Sequence, residues 1–238
     1  MNAAIWHDVE CGGYAEDLPL WRALAGEHPG PVLDVGAGTG RVTLDLARRG
    51  VAVTALDNDP ALLAVLSERA AGLPVCTVVA DARSFELEAR FGLCIVPMQT
   101  VQLLGGPTGH ARFLEAARRH LIEGGIVAIA IAVELEPFAV EDGDPQPLPD
   151  IRELDGIVYA SRPTAVREQP GGFVLERLRE TISTRGERHV DENVITLDRL
   201  SAEELERAGG DAGLAVAGRS VIGATSDYVG SEVVMLRA

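Results

Sequence analysis

The sequence predicts an α/β protein: a mostly parallel sheet with helices on both faces, plus a small antiparallel insertion. Three observations predict it. Through residue 133, short apolar runs alternate with helical patterns, and most runs lack the polar alternation of half-exposed strands. The first run leads into Val32-Leu-Asp-Val-Gly-Ala-Gly-Thr-Gly-Arg41, which reads as a strand, a tight turn and a helix start. After Val133 the pattern changes to an acidic, proline-rich stretch followed by β-like runs.

The elements follow in order. Pro31–Val35 is the first strand. Thr39–Arg49 is a helix with Val42, Leu44, Leu46 and Ala47 as apolar positions, and Val51–Leu56 is the second strand. Asp59-Pro60 supplies an N-cap and a proline at the first helical position, opening a helix through Ala71. Pro74–Val79 and Gly92–Pro97 are strands. His110–Leu121 is a helix with Phe113, Leu114, Ala117 and Leu121 on one face. Gly124-Gly125 ends that element, and Ile126–Val133 is a buried strand.

Glu134–Asp150 carries six acids, four prolines and no arginine, which predicts a solvated loop. The runs Gly156–Ser161, Phe173–Ile182 and Asn193–Leu197 suggest a small antiparallel insertion, with Pro170-Gly171-Gly172 as a hairpin turn. The middle run also fits a helix through Leu175, Leu178 and Ile182. Ser201-Ala-Glu-Glu204 is a capping box opening a helix through Leu205, Ala208 and Ala212, stopped at Gly213. Leu214–Ile222 and Glu232–Arg237 are the last strands. Their connection is too short for a helical crossover, so they should pair antiparallel.

Composition narrows the functions. The chain has 238 residues, 47% hydrophobic and 24% charged, which suits one globular domain with a full core. A net charge of −15 argues against nucleic acid as a partner and tolerates a cationic ligand. No apolar run reaches the roughly 18 residues of a membrane span, so no membrane partner is expected. The N-terminus holds an early acid and no basic region, unlike a signal peptide, so a cytoplasmic location is expected.

All 21 basic residues are arginine. A phosphate-binding lysine, a Schiff-base lysine and a Tyr-x-x-x-Lys dehydrogenase pair are therefore excluded. Cys11, Cys76 and Cys94 have no metal-ligand spacing. Cys76 and Cys94 lie in apolar runs and are expected to be core thiols, with Cys11 more exposed. None of the five histidines has a partner at ligand spacing, so neither a metal nor a catalytic residue is assigned.

The glycine turn carries the chemistry. Dinucleotide sites use Gly-x-Gly-x-x-Gly, whereas here Gly36, Gly38 and Gly40 give Gly-x-Gly-x-Gly and Arg41 takes the third fingerprint position. Asp34, two residues before the first glycine, is unfavourable to a pyrophosphate. It suits S-adenosylmethionine (SAM), which has no phosphate and carries an α-ammonium, a sulfonium and a carboxylate. The carboxylate would meet backbone N–H groups of the turn.

The segment resembles motif I of the class I SAM-dependent methyltransferases, and the resemblance continues at the expected intervals. It implies a Rossmann-like seven-stranded mixed sheet with the last strand antiparallel. Asp57, in Ala55-Leu-Asp-Asn-Asp-Pro60, stands where such enzymes hold the ribose hydroxyls, with Asn58 beside it. Asp81, in Ala80-Asp81-Ala82-Arg83, resembles the acceptor for the adenine amino group, with the Ala82 amide facing the ring. Val96-Pro-Met-Gln-Thr100 resembles the segment beneath the methionine moiety. The cofactor set is thus Tyr14, Asp34, Gly36, Ala37, Gly38, Asp57, Asn58, Asp81, Ala82, Met98 and Gln99.

The resemblance divides a single methyltransferase domain into an N-terminal lid (1–30), a SAM-binding core (31–133), a substrate cover (134–200) and a C-terminal helix and hairpin (201–238). The cover is similar to that of small-molecule N- and O-methyltransferases, including enzymes acting on amino sugars. Val96-Pro97-Met98-Gln99 stands where amino-methylating nucleic-acid enzymes carry Asn/Asp-Pro-Pro-Tyr/Phe. Candidates near the substrate are Tyr14, Gln99, Gln102, Glu134, Tyr159 and Tyr228. The expected function is methyl transfer from SAM to a small-molecule nitrogen or oxygen. A SAM-binding protein without turnover and a nicotinamide oxidoreductase are the alternatives. Monomer and homodimer are left open.

Overall fold

The computed structural model describes residues 2–132, 135–141, 143, 145–225 and 228–238. In chain order the elements are helices α1 (Asn2–Cys11) and α2 (Leu18–Glu27), strand β1 (Val32–Val35), α3 (Arg41–Arg48), β2 (Val53–Asp57), α4 (Pro60–Arg69), β3 (Val75–Val79) and β4 (Phe91–Val96). A 3-10 turn at Thr100–Leu103 precedes α5 (Gly106–His120) and β5 (Leu121–Ile131). Then come β6 (Phe138–Ala139), β7 (Asp150–Leu154), β8 (Ile157–Gln169), β9 (Gly172–Ile182), β10 (Arg188–Asp198), α6 (Ala202–Asp211), β11 (Ala215–Ile222) and β12 (Ser231–Arg237).

The chain divides into two compact units. The larger, Tyr14–Glu134 with Leu200–Ala238, holds a seven-stranded sheet in the order β11-β12-β5-β4-β1-β2-β3. Strands β1 to β5 run parallel, and β12 pairs antiparallel with both β5 and β11. This is the mixed sheet expected from the sequence. Strands β1 and β4 are buried at every position, because helices cover both faces. Phe85, Phe91, Phe113 and Leu114 pack one face with Val96, Val127 and Ile129; Trp21, Val42 and Leu46 pack the other with Leu93 and Ile95.

Helix boundaries follow backbone chemistry more closely than periodicity did. Helix α3 starts at Arg41, two residues later than expected, because Gly40 at φ 95° cannot be helical. Asp59 caps α4 through the Ala61 N–H at 2.8 Å, with Pro60 at the first position. Helix α5 begins earlier than expected, at Gly106, after Gly105 turns the chain at φ 85°. Strand β5 also begins earlier, running through Gly124-Gly125. There Gly124 N–H donates to Ala238 O and Ala238 N–H to Gly125 O. Cys94 is buried, and burial pushes its thiol pKa up. Cys76 is a correction: it is exposed, because β3 is the sheet edge and has a strand on only one side.

The smaller unit is Met1–Gly13 with Leu135–Arg199. Its antiparallel sheet runs β10-β9-β8-β6, with β7 also paired to β8. The ambiguous middle run is strand β9, in register with β8 on one side and β10 on the other. The acidic stretch is more than a loop, since β6 lies within it and β7 begins at its end, and the three β-like runs lengthen to 13, 11 and 11 residues. Asp155-Gly156 closes the β7–β8 hairpin with both residues at positive φ, a turn the sequence reading passed over. Helix α1 is fastened to this sheet by Glu10, which accepts two 2.7 Å hydrogen bonds from Arg179 and one from Ser161. Trp6 meets Tyr159 edge-on at 5.5 Å. The segment 1–30 is therefore not one element: α1 belongs to this unit and α2 to the larger one. No helix among the described residues is long and apolar enough to cross a membrane.

Candidate cofactor site

In the larger unit β1 and β4 are neighbours whose connections leave in opposite directions, to β2 and to β5. Such a switch point opens a crevice at the carboxyl ends of the strands. The glycine turn follows β1, and Pro97–Leu103 follows β4. The two segments touch: a Cβ on Gly36, which sits at φ 73°, would lie 2.4 Å from Thr100 Cγ2. Gly40 is equally constrained, since a Cβ there would lie 2.2 Å from Leu66 Cδ1 of α4. Met98 adopts φ 55°, a left-handed conformation costing roughly 1–2 kcal/mol in a residue with a side chain. Thr100 Oγ1 donates to Pro97 O at 3.0 Å and ties this strained segment down.

Asp34, Asp57 and Asp81 stand at or just past the carboxyl ends of three adjacent parallel strands. Asp34 is buried. Its Oδ2 accepts a 2.6 Å bond from Thr43 Oγ1, and its Oδ1 has no partner among the described residues. Burial pushes its pKa up to about 6, against the pull of the Thr43 hydroxyl and Arg41, with Asp17 and Asp57 adding repulsion. Asp57 Oδ2 accepts from the Gly38 N–H at 2.8 Å and Oδ1 from the Asp59 N–H at 2.9 Å. Asp57 thus holds the turn from the neighbouring strand, and Asn58 beside it is exposed. Asp81 is half-exposed and gripped by Arg83 through the side chain at 2.6–3.1 Å and the backbone N–H at 2.8 Å. Those hydrogen bonds hold its pKa down at about 2. Ala82 is buried next to it.

Two expectations need correction. The turn does not present a row of bare amides: Gly36 and Ala37 N–H donate to Leu56 O, Gly38 N–H to Asp57, and Gly40 N–H to Ala37 O. A parallel neighbour strand closes the turn before a ligand can. Gln102 is not available to a substrate either. It is fully buried, its Nε2 donating to Ala132 O at 3.2 Å and its Oε1 accepting from Ala132 N–H at 2.8 Å. It ties the segment after β4 to the end of β5.

The remaining candidates are distributed as follows. Tyr14 is buried and its ring lies 4.8 Å from that of Tyr228. Met98 packs with the same cluster, and Gln99 is half-buried at the start of the 3-10 turn. Tyr159 belongs to the smaller unit, buried against Trp6. Glu134 lies outside the described residues.

Sequence reasoning missed Asp17, Trp21 and Thr43. Asp17 accepts from Trp21 Nε1 at 2.8 Å and pairs with Arg41 at 2.5 and 2.6 Å. The Asp17–Trp21 spacing of four was visible; the link to Arg41, 24 positions away, was not. Asp34 Oδ1 and Tyr14 OH are the two buried side-chain polar atoms without a hydrogen-bond partner among the described residues. Each such group costs about 1–3 kcal/mol, which a ligand, an ion or a water supplying a hydrogen bond would relieve.

Residues 32–125 match the family model described as "Methyltransferase domain". Over 77 residues the chain is 44% identical to ribosomal RNA small subunit methyltransferase A of Deinococcus radiodurans, a match covering 31% of this chain and 26% of that relative. Solved structures align over nearly the whole length. The sugar N-methyltransferase KedS8 from Streptoalloteichus gives a TM-score of 0.73 at 20% identity, covering 100% of this chain and 93% of that one. DesVI from Streptomyces venezuelae gives 0.71 at 18%, covering 97% of both. SAM-bound CalS10 from Micromonospora echinaspora, an amino pentose methyltransferase, gives 0.69 at 22%, covering 95% and 93%. The chain has the fold of the class I SAM-dependent methyltransferases, and the methyltransferase-domain model matches it over residues 32–125.

Proposed function

We propose that the chain transfers a methyl group from SAM to an amine of a small molecule. The carrying observation is the unpartnered, buried Asp34 carboxylate oxygen beside a glycine turn at the switch point. A pyrophosphate would be repelled there; the α-ammonium of SAM would be held. The residues fit SAM further along the rim. Asp57 has lone pairs left for ribose hydroxyls after fixing Gly38, and Asp81 is an ionised acceptor for an exocyclic amine. Bound SAM supplies a methyl carbon on a positively charged sulfur.

The chain's own task is alignment and exclusion of water. Tyr14 and Tyr228 form an aromatic wall, and Met98 with Gln99 is held rigid by the turn at Thr100. Tyr14 is no base: burial and the nearby Asp17 push its pKa up to about 12. His120 is none either, since Nε2 accepts from the Leu87 N–H and Nδ1 donates to Ala116 O. An amine needs no base if it arrives neutral, whereas a hydroxyl gains more from one. Nitrogen is therefore favoured, as in the sugar and glycopeptide N-methyltransferases of similar fold. The acidic surface favours a basic acceptor over nucleic acid. Free thiols at Cys11, Cys76 and Cys94 suit a reducing compartment such as the cytoplasm.

The test is an assay of the purified chain with labelled SAM and a panel of small amines, amino sugars included, beside hydroxyl analogues. Label should pass to amines and S-adenosylhomocysteine should accumulate. Saturable SAM binding without transfer to any acceptor would contradict the reading, as would tight NADH binding in a parallel titration.

A further inference from the structure

Three features of the larger unit converge on Tyr14. Arg41, the first residue of α3, pairs bidentately with Asp17 at 2.5 and 2.6 Å, and both side chains are withdrawn from water, at 10% and 1% exposure. The same guanidinium donates to Tyr14 O at 2.9 Å and lies over the Tyr14 ring, 5.0 Å from its centre. The Tyr228 ring lies 4.8 Å from that of Tyr14, yet the Tyr14 hydroxyl is buried without a hydrogen-bond partner among the described residues. Burying an ion pair costs several kcal/mol of desolvation, and apolar residues of similar size often serve stability as well. The pair joins Arg41 to Asp17, and it fixes Tyr14 by backbone and ring while leaving its hydroxyl unpaired.

From this we infer that Arg41 and Asp17 are positioning residues for cofactor binding: their ion pair sets the Tyr14 hydroxyl to donate to the carboxylate of SAM. The inference rests on the proposed function and deepens it. It also answers the question left by the glycine turn, whose amides at Gly36, Ala37, Gly38 and Gly40 are committed inside the protein. A neutral phenol is the right donor for an anion that lacks backbone partners, and Arg41 already directs three of its five donors to Asp17 and Tyr14. Since Arg41 directly follows the turn, the ion pair also ties Tyr14 to the backbone that Asp57 holds.

Calorimetric titration of the intact chain with SAM tests this through a double-mutant cycle. Tyr14→Phe should weaken binding about ten- to a hundredfold, the loss of one hydrogen bond to a charged group. Arg41→Gln should weaken it by a similar factor, and Arg41→Gln with Tyr14→Phe should bind no more weakly than Tyr14→Phe alone, because Arg41 acts through Tyr14. The loss should appear in KM for SAM and leave KM for the acceptor unmoved. If Arg41→Gln fails to fold, Asp17→Asn takes its place in the cycle, since it keeps an acceptor for Trp21. Multiplying losses, or unchanged binding by Tyr14→Phe, would overturn the inference while leaving the methyltransferase reading intact. Absence of SAM binding by the unaltered chain would instead overturn that reading.

Discussion

Asp34 lies near the end of β1 with one carboxylate oxygen on Thr43 and the other without a partner among the described residues. Its folded pKa, about 6, lies above the ordinary 3.8. Both folded and unfolded chains hold the proton below pH 3.8, so the group's contribution is fully present there. As pH rises towards 6 the unfolded chain ionises first, and that stability is lost. Asp34→Asn should remove this dependence. Without ligand, the variant should melt at a temperature nearly level between about pH 4 and 7 and gain up to about 3 kcal/mol over the natural chain at the upper end. Its SAM affinity should nonetheless fall at least about tenfold, because an amide cannot neutralise the ammonium. In the natural chain SAM affinity should weaken as pH drops through 6, where Asp34 takes up its proton. Titrations at pH 5 and 7.5 check the direction, and equal affinity would contradict it. The carboxylate itself was legible in the sequence from its place before the glycines. Its missing partner was not, because Thr43 reaches it from the next helix.

At the scale of elements, the glycine turn is shaped by what crowds it. Gly36 meets Thr100 from the segment after β4, and Gly40 meets Leu66 from α4. Gly36→Val combines a positive φ with a steric clash and should cost about 2–5 kcal/mol, read from denaturant unfolding, together with loss of SAM binding. An unfolding midpoint within error of the natural chain would show that the two segments do not touch in solution. Periodicity located β1 and β4 well, because burial on both faces leaves an unbroken apolar signature, whereas the start of β5 read as the end of a helix and the edge strand β3 as buried. It placed helix ends less well, since these depend on left-handed glycines at 40 and 105. It also misread Gln102: polar side chains that clasp backbone across a sheet look, in sequence, like side chains meant for a ligand.

At the scale of the molecule, the smaller unit was the least legible part. Its strands β8 to β10 have weak apolar alternation and many arginine–glutamate pairs, so the β-like runs looked short. That α1 joins this sheet depends on Glu10 meeting Ser161 and Arg179, contacts more than 150 positions apart. Glu10→Ala should lower stability by about 1–3 kcal/mol, since it strands part-buried guanidinium groups. SAM affinity should stay within about threefold, because the charged cofactor residues all lie in the other unit. Calorimetric SAM titration of that variant checks both the division and the assignment. The account stands or falls on whether the acids of three neighbouring strands serve one ligand. The direct measurement is calorimetric titration with SAM of the natural chain, Asp34→Asn, Asp57→Asn and Asp81→Asn. The account predicts one saturable site with micromolar affinity, weakened in all three variants. Unaltered affinity in the three, or no binding by the natural chain, would contradict it.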